Sequence, residues 1–334
     1  MAYARTGETP DTVVLSIPTE PYVCMGYHRS PGAEINLERC HSAQLPVIRR
    51  QTGGGTVFID DRQLFVQWIF HPARLPRMVE NRFRLFCQPL IQTYQFFGIN
   101  AFFFPPNDVH VRNRKIVGTG AGAIGNAEVV TGNFIFDFNP EIMAGLLNAP
   151  SDPFRRMALE GMQQYMSSFR RELKTAPDPE AVKAVYREKC RDALQATLIP
   201  GEFTPEEQRL MAQLDEKFAT NEWLFEHGYN HSSLRRLKIH ANVWVSETTV
   251  TGQNGPLHIT LRTKGNRIDD ITFSGNPGLQ PPSRLTGLEK VLTNVELTPA
   301  PLLEILEAFF ELHGAHSPER TAEDWVNALL NCKA

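Results

Sequence analysis

Two segments of this chain carry residue types suited to an anionic ligand. The first is Arg49-Arg50-Gln51-Thr52-Gly53-Gly54-Gly55-Thr56-Val57. Three successive glycines between strand-like segments are unfavourable in chain entropy. They are justified where backbone passes against a ligand, or where successive N–H groups point at an anion. The two arginines add charge and bidentate contacts to phosphate or carboxylate. A flexible turn beside a surface arginine pair explains three glycines alone equally well. No Gly-Lys-Ser/Thr follows, which excludes a Walker-type phosphate loop. The second segment is Asn107-Asp108-Val109, then Arg114-Lys115-Ile116-Val117-Gly118-Thr119-Gly120-Ala121-Gly122-Ala123. A lysine entering an apolar strand ahead of a small-residue loop suits an anion that approaches closely. Its ammonium is a mobile point charge for a phosphate or a developing oxyanion. The bland alternative is a hairpin with an exposed lysine, with Asn107-Asp108 as a turn cap.

The elements that must position these segments are mostly strands. Val13–Ser16, Tyr22–Met25, Val47–Arg50, Thr56–Ile59 and Leu64–Phe70 read as strands, with Asp60-Asp61-Arg62 as a turn. Val109–Val111 and Ile116-Val117 read as a hairpin around Arg112-Asn113-Arg114, and Phe134–Phe138 as a further strand. Met78–Phe97 has helical spacing of Val79, Phe83, Phe86, Leu90, Tyr94 and Phe97, with a kink expected at Pro89 and a stop at Gly98. Residues 140–228 are rich in helix formers, and Thr204-Pro205-Glu206-Glu207 is a helix start. Strands return at Lys238–Val245, His258–Arg262 and Arg267–Phe273, followed by helices near Ser283–Leu292, Pro301–Leu312 and Thr321–Leu330. This order predicts an α+β fold: mixed and antiparallel sheets flanked by helices over residues 1–230, then a small α+β domain over 231–334.

Composition narrows the function class. The 334 residues are 42% hydrophobic and 21% charged, the balance of a soluble globular protein. A net charge of −3 provides no global field for a nucleic-acid backbone. No apolar run is long enough to span a membrane, and the start lacks a signal-peptide core. Five cysteines without C-x-x-C spacing suggest free thiols in a reducing cytoplasm. His227 and His231 are four apart, but Gly228 and Asn230 argue for a surface loop rather than a metal-binding helix.

Taken together, the two segments resemble the lipoate–protein ligase family, within the wider biotin and lipoate ligase fold. The family signature of Arg-Arg, two residues, Gly-Gly-Gly, then small-Val-x-His-Asp is matched by Arg49 to Asp60, with Ile59 in the histidine position. The second signature, Asn-Asp-Ile/Val and then Lys-Ile/Val-x-Gly, is matched by Asn107-Asp108-Val109 and Lys115-Ile116-Val117-Gly118. Pro21–Tyr27 resembles the family's Pro-x-Val-x-x-Gly strand, and Lys217–Trp223 the segment that closes the catalytic domain. Asp270–Gly275 with Leu288–Leu292 resembles the accessory domain.

The resemblance implies a two-step reaction. Lipoate or octanoate reacts with ATP and Mg²⁺ to give an acyl-adenylate, and the acyl group then passes to a lysine of a lipoyl-type acceptor. By that analogy Lys115 and Asp108 are catalytic. Arg50, Thr52, Gly53, Gly54, Gly55, Asn107, Gly118, Thr119, Gly120, Ala121, Gly132 and Asn133 bind the acyl-adenylate, and Asp108 is the candidate metal ligand. The acceptor would be a glycine cleavage H-like protein, a 2-oxoacid dehydrogenase acyltransferase subunit or a dedicated lipoate-binding protein, with no nucleic-acid or membrane partner. A cationic strip of Arg49, Arg50, Arg112 and Arg114 would steer it.

Departures from the family keep rivals open. The acidic helix that usually precedes the first strand has no counterpart, and the family's His-His-Gly-Thr is Val130-Thr131-Gly132-Asn133. One rival is an octanoyl or lipoyl transferase of the same fold, which carries the acyl group on a cysteine thiolate after the lysine loop. No cysteine lies between Cys87 and Cys190. The other is a non-catalytic acyl-binding protein.

Overall fold

A computed structural model of the chain describes residues 10–226, 235–252 and 255–333. These fall into two compact units: residues up to 148 with those from 166 into the 220s, and residues 149–165 with those after 234.

The first unit opens with β1 (Thr12–Ser16), β2 (Tyr22–Met25), α1 (Pro31–Glu34), α2 (Leu37–Ser42), β3 (Val47–Arg49), β4 (Val57–Ile59) and β5 (Gln63–Phe70). Next come α3 (Val79–Phe96), β6 (Ala101–Phe104), β7 (Asp108–Val111), β8 (Arg114–Val117), β9 (Thr119–Ile124), β10 (Ala127–Ile135) and α4 (Pro140–Leu146). The chain leaves the unit for α5 (Asp152–Tyr165) and returns with α6 (Phe169–Leu173), α7 (Pro179–Leu194), α8 (Pro205–Phe218) and α9 (Asn221–Phe225).

Three sheets result: β1-β5-β10-β9, all antiparallel; β3-β2-β4, mixed; and β6-β7-β8, antiparallel. Period-two alternation explains β5, whose Leu64, Val66, Trp68 and Phe70 are buried. They pack on Phe86, Leu90 and Tyr94 of α3 and on Tyr186 of α7. Each such side chain contributes about 1.5–3 kcal/mol by leaving water. The indole of Trp68 donates to the Tyr186 hydroxyl at 2.9 Å, which pairs both of these buried polar groups. Helix α3 runs unbroken through Pro89.

The sequence reads Gly118–Ala123 as a loop. It is instead β9, an edge strand paired with β10. Its small residues reflect close packing rather than flexibility: a methyl group on Gly120 would sit 3.2 Å from the Gly53 carbonyl, and one on Gly122 3.3 Å from that of Gln51.

The second unit is a meander of β11 (Arg235–His240), β12 (Val243–Val250), β13 (Leu257–Lys264) and β14 (Arg267–Gly275), with α10 (Leu285–Leu292), α11 (Pro299–His313) and α12 (Ala322–Leu330). Lys238–Val245, read as one strand, is a hairpin turning at Ala241-Asn242. Leu257, Ile259 and Leu261 of β13 pack with Leu288, Leu302 and Trp325. The alternate residues Thr260 and Arg262 are also buried.

Helix α5 explains that second burial. The sequence places it with residues 1–230, but a methyl group on its Gly161 would lie 3.2 Å from Arg262 and 3.4 Å from Ile239. The Arg262 guanidinium meets Asp269 at 2.6 Å and Glu160 at 3.4 Å, and Tyr165 donates to Asp269 at 2.8 Å. Among the described residues, no helix is long and apolar enough to cross a membrane. His227 and His231 lie outside the described residues.

Candidate functional site

The two sequence segments meet in the first unit. The glycine turn is held from beneath by Arg50. Its guanidinium donates to the carbonyls of Gly53 at 2.9 Å and Gly55 at 2.8 Å, and to that of Cys24 at 3.1 Å. Gly54 has φ +108°, a conformation reserved for glycine, and a methyl group there would lie 2.7 Å from the same guanidinium. On the other side a methyl group on Gly26 would sit 2.1 Å from the Gly54 carbonyl. Gly54 and Gly55 are exposed, while Thr52 is buried beneath them.

The turn is tied to β9 by the Gly53 N–H, which donates to the Ala121 carbonyl at 3.2 Å. Strand β9 pairs with β10, placing Thr119 opposite Gly132 and Gly120 opposite Thr131. Asn133, the next residue of β10, accepts from the Gly118 N–H at 3.0 Å. Gly132 is small of necessity, because a methyl group would meet Phe86 at 2.8 Å and the Gly118 carbonyl at 3.2 Å. The glycine turn, β9 and the Gly132–Asn133 stretch of β10 therefore form one connected region.

Lys115 is brought to bear by a β-bulge. The β7–β8 register pairs Val109 with Val117 but His110 with Lys115, leaving Ile116 as the extra residue. A bulge of this kind re-aims a side chain. Asp108 and His110 share a face by period two, and Lys115 joins them. Lys115 Nζ lies 2.8 Å from Asp108 Oδ1, with Asp108 2% and Lys115 17% exposed. Asp108 Oδ2 faces His110 Nε2 at 3.8 Å, and the His110 ring stacks on Phe104 at 4.2 Å. Lys115 is further fixed through its backbone, since its carbonyl accepts from the Ser167 N–H at 2.8 Å. Below, the Tyr94 hydroxyl of α3 donates to the Ile116 carbonyl and accepts from the Ile135 N–H, both at 3.2 Å.

Other nominated side chains serve the scaffold. Asn107 donates to Thr119 Oγ1 at 3.0 Å, and the Thr119 hydroxyl donates back to the Asn107 carbonyl. Asp60 closes its turn with Arg62 at 2.8 Å.

Arg49 departs from expectation. It is 1% exposed and cannot belong to a surface strip. Its guanidinium donates to the Leu224 carbonyl at 2.6 and 3.1 Å, and to the carbonyl of Tyr27. The Trp223 indole returns a bond to the Arg49 carbonyl at 2.9 Å. Its neighbour Arg50 lies just past β3 and turns instead to the glycine turn. Of the remaining strip, Arg112 is exposed at the hairpin tip and Arg114 lies 3.8 Å from Glu172.

Two residues that were not nominated for the site matter here. Gly26, the glycine of the Pro-x-Val-x-x-Gly match, makes room for the glycine turn. Gln63 bonds Asn133, seventy positions away, and nothing local announces it.

All five cysteines are free and buried. Burial pushes each thiol above its ordinary range: Cys190 to about 11, Cys332 to about 12, and Cys24, Cys40 and Cys87 upward as well. For Cys24 the Arg50 guanidinium opposes the rise without cancelling it. For Cys87 the Asp108 carboxylate adds to it.

Comparison with known proteins bears on the family and the fold. The family model for the lipoyl protein ligase A/B catalytic domain matches residues 1–191. The chain is 27% identical over 248 residues to octanoyltransferase LipM of Kyrpidia tusciae, covering 67% of this chain and 89% of that one. Among solved structures it is similar to a bi-partite lipoate protein ligase of Thermoplasma acidophilum, studied with its E2 lipoyl domain. That match has a TM-score of 0.61 at 19% identity, over 69% of this chain and 90% of the other. Lipoate-protein ligase A bound with ATP follows with a TM-score of 0.56 at 17% identity, over 67% and 90%.

Proposed function

The chain belongs to the lipoyl protein ligase A/B catalytic domain family, and from that premise we propose that it is an ATP-dependent lipoate or octanoate protein ligase. The observation that carries the choice is the state of its thiols. Acyl transfer through a cysteine needs an accessible thiolate, and here every thiol is buried and pushed toward its neutral form. A ligase needs none. Its acid is activated at phosphorus and its charge is stabilised by a cation, and the site presents Lys115 held by Asp108.

In the first step a carboxylate oxygen of the acid attacks the α-phosphorus of ATP. The α–β phosphoanhydride bond breaks and pyrophosphate leaves. In the second step the neutral amine of the acceptor lysine attacks the acyl carbon. The bond to AMP breaks, AMP departs, and the amine loses its proton. Negative charge builds on the phosphoryl oxygens and then on the carbonyl oxygen, and an ammonium aimed between them serves both steps. Asp108 orients that ammonium. The exposed peptide at Gly54-Gly55 leaves backbone open to a close ligand.

Asp108 fits poorly as a Mg²⁺ ligand as placed. Its carboxylate is buried and one oxygen is taken by the lysine, whereas Mg²⁺ prefers accessible oxygens and retained water. The nucleotide's own phosphates are the fitting partners for that ion. The similarity to an octanoyltransferase supports a second reading, in which a pre-activated octanoyl group is moved.

The test is intact-mass measurement of an unmodified lipoyl-domain acceptor. It is incubated with the protein, Mg²⁺ and lipoate or octanoate, with and without ATP, beside Lys115→Ala. An ATP-dependent acyl mass that vanishes in the variant is the expected result. Acylation from an octanoyl-carrier donor without ATP would replace the ligase reading by the transferase.

A further inference from the structure

A buried chain of amides joins the two halves of the site. Gln63 Nε2 donates to the Phe58 carbonyl of β4 at 3.1 Å. Asn133 Nδ2 donates to Gln63 Oε1 at 2.9 Å. The Gly118 N–H donates to Asn133 Oδ1 at 3.0 Å. Phe58 lies three residues after the glycine turn, and Gly118 lies three residues after Lys115. Gln63 is 7% and Asn133 8% exposed.

We infer that Gln63 and Asn133 are positioning residues, which hold the lysine strand at a fixed distance from the glycine-turn strand so that Lys115 meets a ligand lying on the turn. The assignment rests on the ligase reading for its rate assay, and on the hydrogen bonds alone for its geometry. Both side chains are engaged within the protein. Asn133 has its oxygen engaged by Gly118 and an amide hydrogen engaged by Gln63, and Gln63 is likewise bonded at both ends. β4 and β8 belong to different sheets and share no ladder; the Gly53–Ala121 bond ties the turn itself to β9, and the amides tie β4 to the end of β8. Gly118 and Gly132 contribute no side chain of their own at that corner, which Phe86 of α3 closes by packing on Gly132. A buried amide network is strong when every member is satisfied, and a misplacement of about 1 Å at a reacting centre lowers rate by up to roughly 100-fold.

The test compares Gln63→Ala, Asn133→Ala and the double variant with wild type in acceptor acylation, with kcat and the KM for the acid measured separately. Each single variant is expected to lower kcat by about 10- to 100-fold and to leave KM nearly unchanged. The double variant should lose no more than the worse single, since residues acting as one unit are non-additive. Asn133→Asp keeps an acceptor for the Gly118 N–H and should recover part of the rate; it carries the test if the alanine variant does not fold. A raised KM at unchanged kcat would make Asn133 a ligand contact, and additive losses would make the two amides independent. Either result overturns the relay. Hydrogen exchange at Gly118, read in ¹⁵N-glycine-labelled protein, requires no activity and should accelerate in both Asn133→Ala and Gln63→Ala. An inactive wild type would refute the ligase reading alone. Unchanged Gly118 exchange in Gln63→Ala would refute the relay.

Discussion

Lys115 Nζ and Asp108 Oδ1 stand 2.8 Å apart because a single extra residue, Ile116, bulges β8 and turns the lysine onto the face of β7 that carries the carboxylate. The pair is asymmetric. Asp108 is sealed while Lys115 retains some exposure, so the ammonium is the partner able to reach a ligand. Lys115→Ala is expected to lower acylation by about 100- to 1,000-fold, the loss typical of one transition-state donor. Asp108→Ala should lower it by about 10- to 100-fold through disorder of the ammonium. Steady-state rates on a lipoyl-domain acceptor check both. Full activity of Lys115→Ala would remove this region from the chemistry.

The thiols supply a second prediction. Native protein at pH 8 should take up almost no iodoacetamide, and urea-unfolded protein should take up five equivalents, counted by intact mass. The reason is burial together with the upward displacement of every thiol. Reactivity follows the thiolate. Rapid native labelling at Cys24 or Cys87, the two thiols beside Arg50 and Lys115 respectively, would reopen a covalent route.

Gly54→Ala forces an alanine to φ +108° and into the Arg50 guanidinium. A residue held in such a region costs about 1–3 kcal/mol. The turn should shift rather than the domain unfold, since its peptides are exposed. The expected signature is a raised KM for the acid with a small fall in melting temperature. Gly26→Ala presses on the same turn at the Gly54 carbonyl, against backbone rather than a side chain that could rotate away, and should reproduce that phenotype. Unchanged acid binding in both variants would detach the turn from the ligand.

Much of this was legible in the chain. The paired motifs announced the family, and β5 and α3 announced themselves by clean periods of two and near 3.6. What escaped was decided at a distance. Gly118–Ala123 has no hydrophobic pattern, so a strand whose small residues answer the neighbouring glycine turn reads as a loop. Arg49 and Arg50 are adjacent and alike in type; only the distant α9 carbonyls that Arg49 meets set it inward. Helix α5 has an ordinary amphipathic face, and nothing before folding says that its Gly161 will lie on Arg262. The Gln63–Asn133 bond spans a separation that no local reading bridges.

Arg49 makes a stability prediction. Its guanidinium satisfies the last carbonyls of α9, and Trp223 returns a bond to its backbone. Arg49→Ala leaves buried carbonyls unpaired, which costs about 1–3 kcal/mol. Arg49→Lys should rescue little, because an ammonium cannot span carbonyls that a planar fork bridges. Urea unfolding monitored by tryptophan fluorescence would show the shift. A midpoint unchanged in Arg49→Ala would mean that the α9 segment is not anchored through this residue.

Alkaline pH should destabilise the fold by a route separate from catalysis. Burial raises Cys190 to about 11 and Cys332 to about 12, against about 8.5 for an unfolded thiol. Between those values the folded chain holds protons that the unfolded chain has released. Stability then falls as pH rises. The contribution is intact below about pH 8.5 and is lost as pH climbs toward the folded values. Urea midpoints measured from pH 8 to pH 10.5 should therefore decline. In Cys190→Ala the decline should be shallower, whatever stability the substitution removes at pH 8, because one source of the proton difference is gone. Equal slopes in wild type and Cys190→Ala would show that this thiol titrates in the folded chain much as it does in the unfolded one.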